Sequence, residues 1–289
     1  MTTARLIPAA TAAFALLAAC SSDDAEGKGT ATFTSWGEEY IEQQIPSSVF
    51  EDGWSVHFNK FLVVVGGVKV ADEKGTTAAQ MAGYKLVDHT QVGVKPIVSF
   101  AGLPARAWNR VSYTIAPASI ATELQGATEA DKKIMVDGGF SVYVDGVATK
   151  GTLSKKFSWG FTNKTTFERC RGEIGGKDTE GTVITNGGTD TIELTIHGDH
   201  LFYDDLQSPD AKVRFTALAD ADDRSTGNKD GIVTLEELAA SPLDEIPAAN
   251  GGYGTGSLSG TNDLRAFVSA LSRTVGHFRG EGECFTPSK

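Results

Sequence analysis

A chain of 289 residues with 26 basic and 37 acidic side chains carries a formal charge of −11. That balance excludes nucleic acid and argues against an anionic membrane surface as partner of the folded part, since phosphate binding needs clustered cations. It favours cations instead. Thirty-three glycines against three methionines suit a β-rich exported protein with many turns.

At the N-terminus, Arg5 is the single charge ahead of an apolar stretch, Leu6 to Ala19. This stretch is too short to span a bilayer, which takes about 20 residues. Leu17-Ala18-Ala19-Cys20 resembles a bacterial lipoprotein lipobox. The resemblance implies a signal peptide over residues 1–19, diacylglycerol on the Cys20 thiol and an acyl chain such as palmitate on its new amine. The implied partner is then a membrane, reached through the N-terminal lipid anchor. Ser21, rather than Asp, points to the outer membrane of the cell envelope. Residues 20–30 are small and polar and read as a flexible tether. The remaining cysteines, Cys170 and Cys284, form an even pair in an oxidising compartment and are expected to make one disulfide. No C-x-x-C spacing favours a thiolate metal site.

From Ala31 to about residue 200 the hydrophobic period is near two, which predicts a β-sandwich-like domain over 31–200. Trp54 to Val65 alternates and then turns continuously apolar, Gly66-Gly67 breaks the run, and Val68 to Val70 resumes it. Further strands are expected over 95–100, 105–116, 165–171 and 189–197. A hairpin about Gly151 joins 139–150 to 152–162. Two short helices interrupt the strands, over 38–44 and over 128–136, the second capped by Thr128.

From residue 201 to 289 the pattern becomes helical. Ser208-Pro209-Asp210 predicts a helix start, and Thr234 and Glu237 have capping-box spacing for a second helix that Pro242 stops. A last helix is expected from about Asp263 to Val275. Between the first two lies D-G-I-V-T-L-E-E, which resembles the second half of an EF-hand calcium loop. By that resemblance Asp230, the Ile232 carbonyl, Thr234 and Glu237 are calcium ligands, with Gly231 at the sharp turn. Asp220 and Asp222 have the spacing of the first and third ligands, but the loop would then hold eighteen residues instead of twelve. A contiguous reading from Thr226 has the right length with weaker ligands, Thr226 and Asn228. The extended loop is preferred, and calcium is the expected cofactor.

A second constellation is His197-Gly-Asp-His200, two imidazoles around a carboxylate where the last long strand should end. Such a pair can hold a transition metal. His57, His277, Glu38, Glu39 and Glu42 could add ligands if the fold brings them close. The runs W-S-V-H-F-N-K-F-L-V and H-G-D-H-L-F-Y-D-D-L are similar to uncharacterised exported lipoproteins. F-N-K-F-L-V also resembles periplasmic copper-binding β-sandwich partners of methanobactin-type systems, although the chain lacks that family's multiple cysteines. No G-x-S-x-G, H-E-x-x-H, phosphate loop or dinucleotide fingerprint occurs in the chain, so the expectation is a binding or structural module and not an enzyme. The leading expectation is calcium at the EF-hand-like loop; the alternative is copper or zinc at His197 and His200.

Overall fold

A computed structural model describes residues 27–287. The expected signal peptide, Cys20 and most of the expected tether lie outside the described residues.

Two sheets carry the fold. The first has four strands in the order Gly276–Phe278, Thr189–Ile196, Lys28–Trp36, Lys95–Pro104. The second winds through Thr165–Phe167, Arg110–Ile115, Ser55–Ala71, Val142–Lys150, Leu153–Phe161 and Ile232–Val233, with shorter strands attached. Alternate residues face inward, as in Lys28–Trp36, where Ala31, Phe33 and Ser35 are buried. One apolar cluster joins both sheets, with Phe33, Ile192 and Leu194 from the first and Val63, Val65, Val144 and Trp159 from the second. The architecture is mainly β and sandwich-like, as the period-two pattern predicts.

Ser55–Ala71 is the central strand. Its first half alternates and its second half is buried on both faces, because Val63 and Val65 face the main core while Leu62 and Val64 pack on Leu86 and Met135. The helix bearing Met135 is Glu129–Gly138, with Thr128 and Asp131 in a reciprocal capping box. Gly66-Gly67 does not end the strand. A Cβ on Gly66 would meet the Gly83 carbonyl at 2.4 Å, so the glycine permits the close approach of the neighbouring strand, and Gly67 absorbs a bulge at φ +59°. The hairpin about Gly151 is as expected, with Lys150 opposite Leu153.

The C-terminal residues interleave with the sandwich. Gly276–Phe278 is an edge strand of the first sheet and Ile232–Val233 extends the second. The helix expected from Ser208 does not form there. The Asp204 amide donates to the Lys212 carbonyl, the Lys212 amide donates to the Asp204 carboxylate, and Arg214 N donates to the Phe202 carbonyl, so these amides are already committed elsewhere. The helix begins instead at Thr216, where the Asp52 carboxylate accepts from the Phe215 and Thr216 amides. The final helix is Leu264–Leu271, capped by Asp263.

Cys170 and Cys284 are bonded, 114 residues apart in sequence. The bridge holds the C-terminal segment against the Thr165–Phe167 region, where Glu168 and Phe285 exchange backbone hydrogen bonds. Closing so long a loop restricts the unfolded chain, so Cys170→Ser with Cys284→Ser should lower unfolding stability by about 2–4 kcal/mol. A urea titration checks this through its midpoint.

Candidate metal centre

The parallel pairing of Lys28–Trp36 with Thr189–Ile196 sets Trp36 opposite Thr195. Both strands therefore end at the same edge, and each is followed at once by chemistry: Glu38 after one, His197 after the other. Gly276–Phe278 runs antiparallel on the far side, with His277 opposite Thr195 and the His197 amide donating to the Val275 carbonyl. The chain then turns into a short 3-10 helix, Asp199–Phe202, which carries Asp199 and His200 back over the same edge. Three imidazoles converge. Ring centroids are 4.4 Å apart for His197 and His277, 4.9 Å for His200 and His277, and 5.2 Å for His197 and His200.

Hydrogen bonds fix which nitrogens are free. His197 Nδ1 lies 3.3 Å from Glu38 Oε2, and its buried Nε2 has no partner. His200 Nδ1 is 3.1 Å from the Thr274 hydroxyl, which itself donates to the Leu271 carbonyl. That hydroxyl must therefore accept from Nδ1–H, leaving Nε2 of His200 as the lone-pair nitrogen. His277 Nδ1 and Asp199 Oδ1 are also buried and unpartnered. Buried polar atoms without partners cost about 1–3 kcal/mol each, so their concentration on one edge is a mark of function. Glu38 adds another, since it is a non-glycine residue held at φ +56°.

Two sets of three residues bring ligand atoms within 4.8 Å of one another: His197, His277 and Glu281, and His197, Asp199 and His200. His197 belongs to both. Burial, together with its imidazole neighbours, pulls His200 down to about 3 and His277 to about 4, so both rings are neutral. Burial also raises Asp199 and Glu38, although His197 opposes this in each case, and it raises Glu193. Neutral imidazoles and carboxylates are the donor set that binds copper or zinc. Tyr203 packs on His200 with centroids 4.6 Å apart and donates to Asp199 Oδ2 at 3.1 Å.

Of the other sequence candidates, His277 and Glu38 join the cluster. His57 is exposed and bonds the Gln43 carbonyl. Glu42 accepts from Trp36 Nε1 and the Gly93 amide, and Glu39 is exposed at the surface. Glu281, Tyr203 and Thr274 were not singled out in the sequence. Glu281 lies four residues from His277, in a G-E-G-E run that gave the only hint.

The expected calcium ligands divide. Asp220 and Asp222 both lie on the Thr216–Asp223 helix, where two residues apart means opposite faces. Asp220 points away and accepts from Asn250 Nδ2 at 2.7 Å. Asp222 is buried and accepts from the Asp230 and Gly231 amides. Glu237 closes the other end by accepting from the Asn228 and Thr234 amides, and the Glu237 amide donates in return to the Thr234 hydroxyl. Asp230 accepts from Ile232 N, and Ile232–Val233 pairs with Lys156–Phe157 in the second sheet. The Lys155 ammonium lies 2.6 Å from Asp222 and 2.8 Å from Asp223. It supplies a positive charge at the loop's most buried carboxylate.

No family model and no curated protein matches the chain. Among solved structures, MbnP from Methylosinus trichosporium is similar at 10% sequence identity and a TM-score of 0.33. The match covers 66% of this chain and 88% of that one.

Two predictions follow from these contacts. Asp222→Asn should lower stability by about 2–4 kcal/mol, because it removes the buried one of the two carboxylates on Lys155 and weakens the acceptor of the Asp230 and Gly231 amides, whereas Asp220→Asn should change it by less than about 1 kcal/mol; denaturant midpoints compare the two. The second concerns pH. A histidine with a depressed folded pKa makes the unfolded state bind more protons between that value and 6.5, so stability falls with acidification. Each of His200 and His277 should contribute up to about 1.4 kcal/mol per pH unit between pH 6.5 and 4. The raised carboxylates act in the opposite direction, so the slope is read as the difference between wild type and His200→Gln in melts across that range.

Proposed function

We propose that this protein binds a transition metal, copper or zinc, in the cell envelope, and that it is lipid-anchored there through Cys20. The observation that carries the metal reading is the convergence of three imidazoles with unpartnered buried donors at one sheet edge. Ion binding at His197 Nε2 would satisfy an atom that the protein leaves bare. Glu38 holds the opposite ring nitrogen, as outer carboxylates do for metal-ligating histidines. Neutral rings at pH 7 favour the reading further, because little work is needed to deprotonate them.

Calcium at the 222–237 loop is the second reading. Asp222 accepts from the Asp230 and Gly231 amides and Glu237 from the Asn228 amide, so both carboxylates engage the same stretch of loop, which favours it; Lys155 on Asp222 weighs against it. We rank it lower for that reason.

Thermal melts of the metal-stripped protein separate the two. With copper or zinc at 100 times Kd, linkage adds about 2.7 kcal/mol, a rise of roughly 5–10 °C for a domain of this size. His197→Ala should abolish that rise, and Glu38→Gln should weaken binding about 10–100-fold. A rise with calcium alone, lost in Glu237→Gln and kept in His197→Ala, would overturn the transition-metal reading.

A further inference from the structure

The imidazole cluster has an open side. His200, His277 and Tyr203 line a cavity of about 380 Å³, while His197, 5% exposed, lies behind them. An ion held between these rings would keep its cavity-facing position for an outside ligand, as metal sites with few protein donors do. The cavity runs into a larger groove of about 750 Å³, and the two share Leu206, Gln207, Arg273, Thr274 and Thr286 on their walls.

The groove's charge is unlike that of the chain around it. In a protein of charge −11, its charged wall residues are Lys164 and Arg273, and among the described residues no carboxylate lines it. Both cations are exposed. Neither forms an ion pair among the described residues, and the Arg273 guanidinium has only a 3.4 Å contact to Asn163 Oδ1. Hydroxyls of Thr165, Ser259, Thr261 and Thr286 also line the walls. The smaller cavity differs, because Asp205 and Glu283 lie on its wall. Those carboxylates repel an anion unless a metal ion is present.

Resting on the metal reading above, we infer that the joined cavities take a small hydroxylated dicarboxylate. One carboxylate ligates the metal from its open side, the other pairs with Arg273 and Lys164, and the hydroxyl meets the threonine and serine side chains. Guanidinium–carboxylate pairing gives the far end its selectivity, and the ion at the near end offsets Asp205 and Glu283. Binding of metal and acid is therefore cooperative, and each must raise the affinity of the other by the same factor.

Calorimetric titration of L-malate into the protein, with and without bound zinc, tests this. Zinc should raise malate affinity at least tenfold. Arg273→Met, at an exposed position, should lower it at least fivefold in the zinc-loaded protein while zinc uptake itself is unchanged. Equal malate affinity with and without zinc, or an Arg273→Met variant that binds malate as wild type does, would overturn the inference and leave the metal site standing. Failure to take up zinc or copper at all would overturn both.

Discussion

The parallel pairing between Lys28–Trp36 and Thr189–Ile196 is the constraint on which the rest of the molecule depends. The two strands lie far apart in sequence, yet their register places Trp36 against Thr195. Antiparallel pairing would have put Glu38 and His197 at opposite ends of the sheet. In parallel they leave from one edge, and the strand Gly276–Phe278 and the turn at Asp199–Phe202 close around them. The apolar core beneath, with Phe33, Ile192, Leu194 and Ile196 at 0% exposure among its members, gives that edge a rigid base. A site built on strand ends over such a base is more precise than one carried on loops.

Energetics point the same way. Folding ordinarily pairs buried polar atoms, and most here are paired. Three of the seven exceptions among the described residues meet at the imidazoles, His197 Nε2, His277 Nδ1 and Asp199 Oδ1, with Glu38 strained beside them; the other four, Asp52 Oδ1, His89 Nδ1, Tyr253 OH and Arg279 Nε, are not part of the cluster. The carboxylates of the 222–237 loop are the contrast, since Asp222, Asp230 and Glu237 are engaged by amides and by Lys155. One region stores unsatisfied binding capacity and the other has already spent it on its own backbone. That difference orders the two metal readings.

Local features were legible in the sequence and long-range ones were not. The alternation in Lys28–Trp36 and Ser55–Ala71, the hairpin about Gly151, and the capping residues Thr128 and Thr234 all act within a few residues. The Cys170–Cys284 bridge was legible too, because the lipobox resemblance sets Cys20 aside and the other two of the three cysteines leave one pairing. The His197–His200 pair was visible, but the third imidazole and Glu38 reach it only through pairings that span most of the chain. Asp220 and Asp222 looked equivalent in the sequence because D-x-D spacing carries no information about where a helix ends. The helix runs on to Asp223 and turns one carboxylate inward and the other away. The Ser208 start signal was sound locally and lost to backbone bridges with residues 202–204.

The central claim is that the ion sits on His197, so the most direct measurement is anomalous diffraction from crystals soaked in copper or zinc. A strong peak is expected within bonding distance of His197 Nε2 and of a nitrogen of His200 or His277. A peak at Asp222, Asp230 and Glu237, with the imidazoles bare, would contradict it.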